Sequence, residues 1–157
     1  MNKVVGIVGL GIMGGAIARN LVERGWQVVG YDHDAERRAE MARANVTIAT
    51  DAKQVARDTP ILMTSLPSAA AVEDVARAIA NSGQSPRIVI ELSTLAIADK
   101  LRFEDILTKA GPARRQGSAI LWSMPAATAP PLPAARSCSP ISPGKAPISA
   151  HSATAAG

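Results

Sequence analysis

A short β-branched run, Lys3 to Val8 (KVVGIV), leads straight into Gly9-Leu10-Gly11-Ile12-Met13-Gly14 and then into a helical pattern that stops at Gly25. No other feature limits the fold so closely. A run this short and apolar reads as a strand buried on both faces. A helix opening a few residues after its end has to turn back across the sheet and cover one of those faces. That helix is expected over Gly11 to Arg24, with Ile12, Ala16, Leu21 and Val22 inward and Gly25 as its stop.

The alternation then repeats. Gln27 to Tyr31 (QVVGY) reads as a second strand, Ala35 to Arg43 as a charged surface helix and Val46 to Ala49 as a short third strand. Asp51 is placed to cap a helix reaching Arg57. Pro60 to Leu66 is a fourth strand, its proline tolerable at the first position. Ser68 to Ala80 is a helix with Val72, Val75 and Ile79 on one face. Arg87 to Leu92 is a fifth strand, Ile97 to Ala110 an amphipathic helix and Ser118 to Trp122 a candidate sixth strand. Strands alternating with helices of this size predict an α/β fold, a Rossmann-type doubly wound parallel sheet with helices on both faces.

Within that context the glycine pattern carries chemistry. G-x-G-x-x-G alone is weak; here a strand precedes it, a helix opens within it, and Asp32 ends the next strand 18 residues after Gly14. Gly9 allows the tight turn, Gly11 lets a pyrophosphate approach the backbone, and Gly14 lets helix and sheet pack closely. Free N–H groups and the positive end of the helix dipole then hold the phosphates. Asp32 is expected to accept hydrogen bonds from both ribose hydroxyls of the adenosine half and to repel a 2′-phosphate. The expected cofactor is therefore NAD, with NADP possible if Arg37 and Arg38 turn towards it. Otherwise those two arginines read as a solvated helix face.

The segment VGLGIMGGAIARNLVERGWQVVGYD resembles the opening of the β-hydroxyacid dehydrogenases, the family of the 3-hydroxyisobutyrate and tartronate semialdehyde enzymes. The cofactor domain of 6-phosphogluconate dehydrogenase is a more distant relative. Leu66-Pro67-Ser68 is similar to the family's L-P loop after the fourth strand, and Glu91-Leu92-Ser93-Thr94 to its D-x-S-T segment, with Glu91 in place of the usual aspartate. The resemblance covers about residues 1–111. It implies a cofactor set of Gly9, Leu10, Gly11, Ile12, Met13, Gly14, Asp32, Leu66, Pro67 and Thr94. Leu66 and Pro67 would flank the adenosine ribose and pyrophosphate, and Thr94 would lie near the nicotinamide ribose with Ser93 supporting its loop. Ser93 and Thr94 also suit an N-cap for the helix from Ile97. The activity implied is oxidation of a small β-hydroxyacid at its hydroxyl carbon, with a dinucleotide-binding module without turnover as the alternative.

The resemblance stops short of the family's D-x-P-x-S-G substrate motif and of the helical domain that carries its acid/base lysine. Ser123-Met124-Pro125 matches that motif poorly, and neither Lys109 nor Lys145 has a rationale as that lysine. No catalytic residue is therefore assigned. Composition changes at the same place. Residues 1–111 carry all 13 acidic side chains and 13 of the 17 basic ones, while residues 112–157 hold no acid and 8 of the 11 prolines. The expected organisation is a dinucleotide-binding domain over residues 1–122 and a disordered Ala/Pro/Ser-rich tail over 123–157, of the kind a truncated or out-of-frame reading would give. A solitary domain of this sort is expected to be a marginally stable monomer.

The charge excess of +4 belongs to residues 112–157 and is too sparse, with Trp122 their one aromatic, to suggest a nucleic-acid surface. One cysteine, Cys138, excludes an internal disulfide framework, and no metal site is expected. The apolar stretch Val4 to Ala18 imitates a signal peptide, but its five glycines suit neither that nor a membrane span. A cytoplasmic protein is the expectation.

Overall fold

The computed structural model describes residues 3–83, 86, 88–109 and, for the backbone, 119–122. The predicted tail and residues 110–118 lie outside the described residues. In chain order the elements are β1 (Val4–Val8), α1 (Ile12–Glu23), β2 (Gln27–Tyr31), α2 (Ala35–Arg43), β3 (Thr47–Ile48), α3 (Ala52–Asp58), β4 (Ile61–Thr64), α4 (Ala69–Ala80), β5 (Ile88–Glu91), α5 (Ile97–Lys109) and β6 (Ala119–Trp122). All strand pairs are parallel, and the sheet order is β3-β2-β1-β4-β5-β6. The chain starts at β1, works outward to β3, then crosses to β4 and works outward the other way. The crevice between β1 and β4 is thus the point where the winding reverses, the place where open α/β sheets bind ligands.

Alternating side chains divide the core into two layers. Val5, Ile7 and Val28 pack with Ala18 of α1 and Met41 of α2. Val8, Leu62 and Val89 pack with Val55 of α3, Val72 and Ile79 of α4, and Phe103 and Leu107 of α5. Burial of Phe103, which is fully enclosed, contributes on the order of 2–3 kcal/mol. Among the described residues no helix is long and apolar enough to cross a membrane.

One element departs from the sequence expectation. α1 does not bury Ile12 and Ala16. Ile12 is 94% exposed and Met13 61%; the buried side is Gly14, Gly15 and Ala18, flanked by Leu21 and Val22. Small residues let this helix approach the sheet closely, so the face that packs is the one with least side chain rather than the most apolar. In α5 the buried stripe is Lys100, Phe103 and Leu107, while Leu101 stands 52% exposed.

Candidate dinucleotide site

Gly9 turns out of β1 with φ at +92°, a conformation that side chains disfavour. Its N–H donates to the Tyr31 carbonyl at 2.9 Å, tying the turn to the end of β2. A Cβ on Gly9 would strike the Ser65 carbonyl, and one on Gly14 the Gly9 carbonyl. Packing therefore accounts for both. Gly11 is different: its backbone is ordinary (φ −65°, ψ −160°), and a Cβ there would meet only the Arg37 guanidinium, at 3.0 Å. Nothing in the protein's own backbone requires glycine at that position. The space it leaves is what close approach of a phosphate would use.

The start of α1 is also unlike that of its neighbours. Asp34 caps α2 by accepting from the Glu36 N–H at 2.8 Å, Asp51 caps α3 through Gln54 at 2.7 Å, and Ser68 caps α4 through Ala71 at 3.3 Å. At α1 the cap is Gly11, with no side-chain hydrogen bond. Beside Gly11 lies a depression lined by Leu10, Gly11, Ile12 and Arg37 among others. A bare helix N-terminus of this kind suits an anion.

Asp32 closes the site on the β2 side. It is 4% exposed, and both oxygens already accept backbone N–H groups. Oδ2 takes Leu10 at 2.7 Å and Oδ1 takes Asp34 at 2.9 Å. The carboxylate therefore braces the glycine loop against the end of β2, with a second lone pair on each oxygen left for a ligand. His33 Nδ1 lies 3.2 Å from Oδ1, and the Arg37 guanidinium 3.7 Å from Oδ2. Neither arginine is the freely solvated residue expected from sequence. Arg37 folds over Gly11 between Asp32 and Asp34. Arg38 donates to the Asp32 and His33 carbonyls at 2.7 and 2.9 Å and lies over the Tyr31 ring. The hydrogen bond from the Glu36 N–H holds the Asp34 carboxyl below its ordinary pKa, with further lowering from the Arg37 N–H and charge.

A cleft of about 380 Å³ runs between these groups and the loop after β4, lined by Gly9, Asp32, Arg37, Ser65, Leu66 and Pro67 with neighbours from α4. Of the residues singled out from sequence, Gly9, Asp32, Leu66 and Pro67 meet in this cleft, and Leu10, Gly11 and Ile12 line the adjoining depression across Arg37. Met13, Gly14 and Thr94 line neither. Gly14 serves helix packing, and Thr94 is exposed on the loop after β5.

That loop is fixed from below. The Leu66 N–H donates to Ser93 Oγ at 2.9 Å, which joins the loops after β4 and β5. The Ala96 carbonyl accepts from Asp99 and Lys100 and so opens α5; neither Ser93 nor Thr94 occupies the cap. Sequence reasoning did not single out Lys100, whose Nζ donates to Glu91 Oε2 at 2.6 Å with both side chains buried. Ser65 was also missed, and only its place in the expected L-P turn could have flagged it.

Comparison with known proteins agrees with this geometry. An uncharacterized oxidoreductase of Synechocystis sp. is 31% identical over 96 residues, which are 58% of this chain and 33% of that protein. A probable mitochondrial 3-hydroxyisobutyrate dehydrogenase of Dictyostelium discoideum is 32% identical over 74 residues, 47% of this chain and 23% of that one. The solved 3-hydroxyisobutyrate dehydrogenase of Mycobacterium tuberculosis, with L-serine, superposes with a TM-score of 0.67 at 21% identity, covering 78% of this chain and 39% of that chain. In these comparisons the match thus spans about a quarter to two-fifths of the relative's length. The family model described as the NAD binding domain of 6-phosphogluconate dehydrogenase matches residues 4–114. With most of its length so matched and the glycine loop, bare helix start and buried Asp32 in register at one crevice, the chain belongs to that NAD-binding-domain family.

Proposed function

We propose that this chain is the dinucleotide-binding part of an oxidoreductase that oxidises a small β-hydroxyacid, 3-hydroxyisobutyrate-like, at its hydroxyl carbon. One observation carries the binding reading: Gly11 is a glycine that no backbone contact requires, beside a helix start that no side chain caps. A pyrophosphate fits both. In this reading Gly9 to Gly14 cradle the phosphates and Asp32 takes the adenosine ribose. Leu66 and Pro67 form the opposite wall, and Thr94 lies towards the second ribose. Bound nicotinamide would supply a hydride acceptor. The buried Asp32 carboxylate favours NAD over NADP, and Arg37, half exposed and 3.7 Å from that carboxylate, is the residue to meet a 2′-phosphate where NADP does bind. The substrate class rests on the resemblance and on the two dehydrogenase relatives. A protein drawing on free dinucleotide is read as cytoplasmic.

A second reading is a dinucleotide-binding module without turnover. Among the described residues that line the cleft none is a lysine, and the His33 side chain is 84% exposed. Hydride transfer from a hydroxyl carbon needs a base for the hydroxyl proton.

Titrating the purified chain with NADH and NADPH by fluorescence, alongside thermal shifts with NAD⁺ and NADP⁺, tests the binding reading. Saturable binding with NADH preferred, and a rise in Tm with concentration, is the expected result. No binding and no shift at millimolar dinucleotide would falsify it. Turnover of NAD⁺ with any of a panel of β-hydroxyacids would separate the enzyme from the module.

A further inference from the structure

Beneath the loop after β5 lies a pair of charges that the binding reading does not use. Glu91, the last residue of β5, and Lys100, one turn into α5, are 0% and 3% exposed at their side chains. Lys100 Nζ donates to Glu91 Oε2 at 2.6 Å and to the Ser93 carbonyl at 2.8 Å. Glu91 Oε1 accepts the Ser93 N–H at 2.7 Å. The pair thus grips both backbone groups of one residue, Ser93, whose Oγ in turn accepts from Leu66 in the loop after β4.

Stability alone does not explain this arrangement. Burying two charges costs several kcal/mol of desolvation, and apolar residues of the same volume usually serve a core as well or better. The same sheet row makes a further sacrifice: Thr64, the register partner of Glu91 on β4, leaves its buried Oγ1 without a hydrogen-bond partner. What apolar residues lack is direction. Two hydrogen bonds ending on Ser93, and the Lys100–Glu91 bond that ties their side chains together, fix both the orientation of its peptide groups and the path of residues 92–96 over the edge of the sheet. That path carries Thr94 and lies over the half of the sheet opposite Asp32. In a doubly wound sheet that half receives the second nucleotide.

We propose that Glu91 and Lys100 are positioning residues that set the loop for the nicotinamide half of a dinucleotide, leaving the ADP half to the glycine loop and Asp32. The inference rests on the dinucleotide reading above. It predicts a split between ligands that share the ADP half. Substituting both residues, E91L/K100M, keeps the core neutral and filled but removes both side-chain anchors on the Ser93 backbone. The full-length chain with this double change should weaken NADH binding about tenfold while ADP-ribose binding changes less than about twofold. NADH is followed by its fluorescence and ADP-ribose by calorimetry, with thermal melts to verify folding. Should E91L/K100M fail to fold, E91Q/K100M keeps the side-chain volumes closer and should show the same split at smaller size, about threefold for NADH.

Equal losses for NADH and ADP-ribose would overturn the inference, since the pair would then merely support the domain. So would unchanged affinity for both. Failure of the unsubstituted chain to bind either ligand is a different result: it overturns the dinucleotide reading first, and this inference with it.

Discussion

Two buried carboxylates, at matching places in the two halves of the sheet, are held in opposite ways. Asp32 directly follows β2 and Glu91 ends β5, and each accepts a backbone N–H of a neighbouring loop. The Asp32 carboxylate accepts its hydrogen bonds from backbone donors, with His33 Nδ1 at 3.2 Å and the Arg37 guanidinium at 3.7 Å beside it. Glu91 has a buried lysine against it. The first half of the site is therefore shaped by backbone: a left-handed Gly9, a bare helix start and peptide N–H groups that one acid gathers. The second half is shaped by side chains reaching up from α5. Backbone-built sites leave their donors free for a ligand, whereas side-chain-built loops depend on every member of a closed network.

If that contrast is sound, the largest single-site loss of stability should come from the second half. Lys100→Met leaves Glu91 charged and unpaired in the core, at an expected cost of about 3–5 kcal/mol in urea unfolding. The double change E91L/K100M should recover most of it. Recovery of none would mean the pair is not the unit described here. Next in size is Gly14→Ala, whose added Cβ meets the Gly9 carbonyl. Moving a backbone segment to admit it should cost about 2–3 kcal/mol. A larger loss at Gly14 than at Lys100 would reverse the comparison.

Asp32→Asn sharpens it further. The amide keeps one acceptor oxygen but turns an N–H₂ towards a backbone N–H, so one of the two braced donors, Leu10 or Asp34, loses its partner. The expected stability loss is about 1–3 kcal/mol, and NADH should lose its advantage over NADPH in the same protein. The smallest effect belongs to the exposed cap Asp34. Its pKa is lowered chiefly by the hydrogen bond from the Glu36 N–H, so its contribution is present above the unfolded-state value and fades as pH falls through the lower folded one. Asp34→Ala should therefore lower Tm slightly at neutral pH. The gap from the unsubstituted chain should close below about pH 4, and a gap that widened in acid would contradict the cap.

The alternation of elements was legible from β-branched runs and helical periods, down to Asp51 as a cap and the parallel order of strands. The glycine loop and Asp32 were legible because backbone geometry demands particular residue types at fixed spacing. α1 misled for a physical reason: helical periodicity marks the apolar face, but close approach to the sheet selects Gly14, Gly15 and Ala18 instead. Arg37 and Arg38 misled because a charged helix face reads alike whether its side chains meet water or fold back onto carbonyls and Asp32.

By itself, then, the sequence determined an α/β sheet, the crevice at its reversal and a phosphate-binding turn, since each follows from local residue type and short spacing. Only the tertiary structure decided that Lys100 lies inside rather than outside, that it and Glu91 together grip Ser93, and that Gly11 alone among the three motif glycines is free of packing duty. Those are matters of which surfaces meet between residues several positions apart in the chain, and a burial cost for a charge becomes acceptable only when its partner is already in place.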